Sequence, residues 1–73
     1  MSKDIVDFLA FVIEIYRFQA KMTGEEVDSL FTQYDVYGFI TDNFEVLHSF
    51  GEKRILWEIK DYIKNKKKDE MSQ

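Results

Sequence analysis

Residues 23–34 read Thr23-Gly24-Glu25-Glu26-Val27-Asp28-Ser29-Leu30-Phe31-Thr32-Gln33-Tyr34. Thr23 and Glu26 stand three positions apart, the spacing at which a threonine hydroxyl and a glutamate carboxylate each accept the other residue's backbone N–H and start a helix. Val27, Leu30, Phe31 and Tyr34 then recur at i, i+3, i+4 and i+7, so one face of that helix is apolar. The chain contains no proline and three glycines. Such a capped, amphipathic segment in such a chain points to an all-α fold with short turns.

Working outward, the same arithmetic gives a helix on each side. From residue 3 to about residue 21, Ile5, Phe8, Leu9, Val12, Ile15 and Tyr16 share one face. Ser2 is placed as the N-cap, and Asp4 and Asp7 sit where the positive end of the helix dipole favours anions. After Tyr34, Asp35 can cap a third helix in which Val36, Phe39, Ile40, Asn43, Val46 and Leu47 share one side. Gly38, Thr41, Asp42 and Glu45 share its other side. Ser49-Phe50-Gly51-Glu52 repeats the capping-box pattern, with Ser49 as N-cap of a fourth helix buried along Ile55, Leu56, Ile59, Tyr62 and Ile63. Strands fit poorly, because apolar–polar alternation never persists; residues 36–40 are the one stretch arguable as a short strand. The expectation is a compact bundle of four short-to-medium helices, one domain over residues 1–65. The charged run Lys64-Asn65-Lys66-Lys67-Lys68-Asp69-Glu70 has lost the apolar period, so residues 66–73 are expected to form a frayed C-terminal tail.

Composition narrows the function classes. At 45% apolar with 16% aromatic residues the chain is too rich for disorder. Its longest apolar run, Phe8 to Ile13, falls far short of the ~20 residues that span a bilayer. The N-terminus is acidic by its fourth residue and no small-residue cleavage site follows the apolar run, so no signal peptide is read and the cytoplasm is the expected location. With no cysteine and one histidine, neither a disulfide framework nor the usual zinc ligand sets can be assembled. No cofactor motif appears. Chains below ~80 residues commonly need a staple, which here leaves dense aromatic packing or association with another chain.

Charge is unevenly spread. Residues 22–52 hold Glu25, Glu26, Asp28, Asp35, Asp42, Glu45 and Glu52 and no Lys or Arg. An acidic centre repels phosphate backbones and attracts basic surfaces, although ordinary solubilisation of the middle helices is the simpler account of it. Helices two and three could also form a helix-turn-helix, but the exposed side of the third offers no Lys or Arg to hold a duplex.

Three aromatic side chains stand apart from the apolar faces. Phe11 and Phe18 fall among Asp4, Asp7 and Glu14, either as an exposed pair for a partner or as residues that a neighbouring helix covers. Trp57 projects with Lys53, Lys60 and Lys64, as an interface anchor or as a cap over lysine stems. His48, near Glu45 and Ser49, is the sole imidazole candidate for catalysis; a last-turn histidine also simply packs its ring or meets the helix C-terminus. No nucleophile, P-loop or metalloprotease motif accompanies it, so no catalytic, cofactor or metal residues are assigned.

Along residues 34–51 run Tyr34-Asp35-Val36, Phe39-Ile40, Phe44-Glu45-Val46-Leu47-His48-Ser49 and Gly51. This string resembles a short bacterial family, domain of unknown function 3791, whose members carry an aromatic-x-x-Leu-His-Thr/Ser-x-Gly stretch. The likeness extends over nearly the whole chain. It implies a small helical protein with no assigned activity, found in gut and other anaerobic bacteria and sometimes encoded beside a protein similar to ADP-ribosyltransferase-type toxins. An antitoxin or accessory partner is therefore what the resemblance implies. For the matching residues a structural account suffices: Leu47 in the core, Ser49 as a cap, Gly51 permitting a tight junction. The reading is thus a non-enzymatic interaction module, expected to form a homodimer or to bind a basic protein, with Phe11, Phe18, Trp57, Glu25, Glu26 and Asp28 as candidate surface. The alternative is a helix-turn-helix regulator.

Overall fold

Ser2 is extended, and its hydroxyl accepts the Ile5 N–H at 3.3 Å, which starts α1 (Lys3–Ala20) at the expected cap. The structure, a computed structural model, describes residues 2–71. Helix α1 closes on Lys21, which takes the left-handed conformation at φ 56°. The Lys21 N–H donates to the Phe18 carbonyl at 3.4 Å and the Met22 N–H to the Arg17 carbonyl at 2.9 Å. Those two bonds are the pattern that ordinarily employs glycine, and here a lysine bears the strain.

The capping box is formed as read: the Thr23 N–H donates to Glu26 Oε1 at 2.9 Å and the Glu26 N–H to Thr23 Oγ1 at 3.1 Å. It opens α2 (Gly24–Gln33), which buries Val27 and Phe31. Asp35 follows at φ 53° and turns the chain into α3 (Val36–Asp42). Asp35 holds the N-cap position without capping: its side chain makes no cap hydrogen bond. Instead its carboxylate lies over Gly38, where a Cβ would come within 2.6 Å of Oδ2. Its carbonyl receives the Phe39 N–H at 3.2 Å and the Tyr62 hydroxyl at 3.3 Å.

The expected third helix is two helices. Asn43, at φ −116° and ψ 23°, donates both its backbone N–H (3.1 Å) and its side-chain Nδ2 (2.8 Å) to the Phe39 carbonyl. An asparagine amide that bonds its own backbone competes with helix propagation, and the chain bends there. Beyond it runs α4 (Phe44–His48). The bend sends Leu47 into the core at 2% exposure and leaves Val46, expected on the buried side, 56% exposed.

Ser49 does not cap the last helix. It lies in helical conformation at the end of α4, and its Oγ donates to the Val46 carbonyl at 2.6 Å, satisfying one of the terminal carbonyls. The last helix, α5 (Glu52–Met71), begins instead with the Ile55 N–H donating to the Gly51 carbonyl at 3.0 Å. Gly51 has no positive φ and open space around its Cα, so no tight junction demands glycine there. Helix α5 also continues through the charged stretch expected to fray, as far as Met71. Over that stretch the Lys66 ammonium lies 5.5 Å from the Tyr62 ring centre and the Lys67 ammonium 5.8 Å from that of Tyr34. Residues 72 and 73 lie outside the described residues.

Among the described residues the five helices share one core: Phe8, Val12 and Tyr16 from α1 meet Val27 and Phe31, Val36 and Ile40, Leu47, and Ile55, Ile59 and Ile63. Phe31 packs edge-on against both Tyr16 (5.2 Å between centroids) and Tyr37 (5.6 Å), while Phe39 stacks on Tyr62 at 4.3 Å. Such ring pairs add to area burial and suit a chain too short for a large aliphatic core. Phe8 shares a groove with Ile55, Lys60 Nζ donates to Gln19 Oε1 at 2.5 Å, and Tyr16 borders Ile63 and Lys67. Helix α5 thus meets α1 near both of its ends, with Glu52 and Leu56 also beside Phe18. Among the described residues there is no strand, and no helix is long and apolar enough to cross a membrane.

Candidate functional site

Both α1 aromatics are exposed to different degrees: Phe18 is 84% exposed and Phe11 41%. The cause is positional. Phe8, Val12 and Tyr16 take the stripe that faces the core, which leaves Phe11 and Phe18 at the rims of grooves shared with α4 and α5. Phe18 borders an open groove floored by Ile15 and Leu56. Beside it the Arg17 Nε donates to Glu14 Oε2 at 2.5 Å. That hydrogen bond and the accompanying charge hold the Glu14 carboxyl below its usual range and raise the Arg17 guanidinium.

Trp57 is 58% exposed. The cation nearest its face is an arginine that sequence reasoning passed over: the Arg54 guanidinium carbon lies 5.7 Å from the Trp57 ring centre and 4.8 Å from that of Phe50. The signal was present as spacing, since Arg54 stands four after Phe50 and three before Trp57 on consecutive turns. Arg54 also approaches Glu58 at 3.7 Å.

The acidic candidates divide by duty. Glu26 is committed to the capping box, and Asp28 Oδ1 accepts the Tyr37 hydroxyl at 2.5 Å. Burial first, then the hydrogen bond and charge of Asp28, push Tyr37 up to about 12. Burial raises Tyr16 as well. Glu25 is exposed and has neither hydrogen bond nor ion pair among the described residues.

His48 lies exposed at the end of α4, its ring edge-on to Phe8 at 5.8 Å and tilted against Phe44 at 5.2 Å. Among the described residues no hydrogen bond or ion pair joins it to Glu45 or Ser49; the imidazole serves as an aromatic neighbour. With Asp4, Asp7, Phe11, Phe50 and Ile55, these rings line an open groove of about 540 Å³ between the start of α1, α4 and the start of α5. Sequence reasoning named Phe11 and His48 separately and missed that Phe44 and Phe50 join them. The Asn43 bend produces that convergence, and only the i, i+3 and i+4 spacing of Asp4, Asp7, Phe8 and Phe11 was visible beforehand. Phe18 and Trp57 lie outside this groove. Among the described residues no group of three or more His, Asp or Glu side chains could hold a metal ion.

Comparison with curated proteins and with solved structures gives no match. A family model does match, over residues 7–66, which takes in α2, α3 and α4 entire and most of α1 and α5. The chain belongs to the family described as Protein of unknown function (DUF3791).

Proposed function

We propose that this chain is a non-enzymatic protein–protein interaction module of the cytoplasm whose partner presents a basic surface, an antitoxin-like or accessory role being the special case. The observation that carries the reading is the exposure of Phe18, at 84%, together with Phe11 and Trp57. Large aromatic side chains left in water at the edges of a small fold are what interfaces bury first. The charge map supports a basic partner, because residues 22–52 carry seven carboxylates and no cation. Co-purification of the tagged chain at low and high salt tests it. A stoichiometric basic protein that leaves as salt rises is the expected result, and Glu25→Lys is expected to weaken its capture. Capture that is indifferent to salt and to Glu25→Lys removes the acidic part of the reading.

A second copy is the other occupant favoured by the same aromatics. Phe11 and Phe18 both emerge from α1, so a self-paired α1 face would bury both. A Phe11→Glu, Phe18→Glu chain is then expected to sediment as a monomer where the parent sediments as a dimer; equal sedimentation of the two removes homodimerisation through α1. The helix-turn-helix alternative draws no support: α3 spans seven residues, Val36–Asp42, none of them lysine or arginine.

A further inference from the structure

We infer that the groove between the start of α1, α4 and the start of α5 is a docking site for an arginine side chain presented by a basic segment of a protein partner. This rests on the interaction-module reading and places its anchor away from the acidic middle helices. The groove combines two features that a cation with an apolar stem requires. Its walls are aromatic: Phe8 stands 6.2 Å from Phe11 and 5.5 Å from Phe44, with the His48 ring 5.2 Å from Phe44. Its rim is anionic: Asp4 and Asp7 line it from α1, and neither has an ion-pair partner among the described residues. Ring faces attract a cation through their quadrupole, and carboxylates attract it through charge and hydrogen bonds.

Guanidinium is the better occupant than ammonium. It is planar, weakly hydrated, stacks on rings and presents paired N–H donors to carboxylates. A guanidinium–ring pair of this kind already exists beside the groove, for the chain's own Arg54 sits 4.8 Å from the centre of Phe50, a ring that lines it. Asp4 lies in the first turn of α1, where the helix dipole offsets part of its charge. Asp7, one turn further in, is offset less, so it is the stronger of the two anchors.

The test is an NMR titration of the whole chain with an acetylated, amidated Gly-Arg-Gly peptide and its citrulline counterpart, which keeps the shape and removes the charge. The arginine peptide is expected to shift the Phe8, Phe11, Phe44 and His48 ring signals saturably, with a Kd on the order of millimolar. The Asp4→Asn, Asp7→Asn chain is expected to bind about tenfold more weakly, and Phe11→Ala likewise weakly, with amide spectra that show both folded. Trp57 signals should not move. Equal shifts from the citrulline peptide, unchanged affinity in the aspartate variant, or no ring shifts by about 20 mM peptide would each overturn the site. Co-purification separates its failure from that of the parent reading. A basic partner retained by the Asp4→Asn, Asp7→Asn chain overturns the groove and leaves the module standing. Absence of any basic partner, with arginine-peptide binding intact, does the reverse.

Discussion

Replacing Tyr37 with phenylalanine should change the pH dependence of stability in a way that isolates one hydrogen bond. In the fold, the Tyr37 hydroxyl donates to Asp28 Oδ1 at 2.5 Å, and burial with the adjacent carboxylate pushes the phenol from 10.0 up to about 12. The unfolded chain has neither influence, so its Tyr37 ionises near the ordinary value. The folded value is raised; the stabilisation is therefore fully present below the unfolded value of 10.0 and is lost as pH rises towards about 12. Two units correspond to roughly 2.7 kcal/mol as a ceiling. Tyr37 is only half-buried, so solvent screening reduces the figure to about 1 kcal/mol. Urea unfolding of the parent and of Tyr37→Phe, from about pH 7 to pH 12, provides the assay. The other tyrosines are common to both proteins and cancel in the difference. The variant should be about 1 kcal/mol less stable at neutral pH, with the gap closing above about pH 10. A gap that stays constant to about pH 12 would refute the coupling between Tyr37 and Asp28.

Further outcomes follow from the backbone and the core. Lys21→Gly relieves the left-handed lysine at the end of α1 and should raise stability by about 0.5–1 kcal/mol in the same urea assay. Gly51→Ala, placed in open space with no positive φ, should stay within about 0.5 kcal/mol of the parent. Ile59→Ala, fully enclosed where α5 crosses the core, should cost about 2–5 kcal/mol and lower the thermal midpoint accordingly. Thr23→Ala breaks the capping box and should cost about 1 kcal/mol, visible as a lower urea midpoint.

Most of the helical plan was legible because its signals are local. The Ser2 and Thr23 caps, the buried stripes of α1 and α2, and Ile55, Ile59 and Ile63 on α5 lie where spacing placed them. The third helix failed at Asn43, a residue whose apolar neighbours fit a helical face while its amide bonded the Phe39 carbonyl. Periodicity counts side-chain faces and does not register competition for a backbone carbonyl. Ser49 failed for a related reason. Its hydroxyl can accept for a helix that follows or donate to one that ends, and here the Val46 carbonyl of α4 takes it.

The helical character of the chain, the starts of most helices, the stripes that seek the core and the acidic middle were all legible from residue spacing and composition. These properties depend on residues three or four positions apart, whose proximity is guaranteed once a helix forms. Packing between helices settled that Phe11 and Phe18 stay exposed, that Arg54 rather than a lysine faces Trp57, and that Asp4 and Asp7 share a groove with Phe44, His48 and Phe50. Those residues are brought together by the bend at Asn43 and the packing of α5 against α1. Helix spacing cannot encode either, because each depends on which of several apolar faces pack together when the core closes.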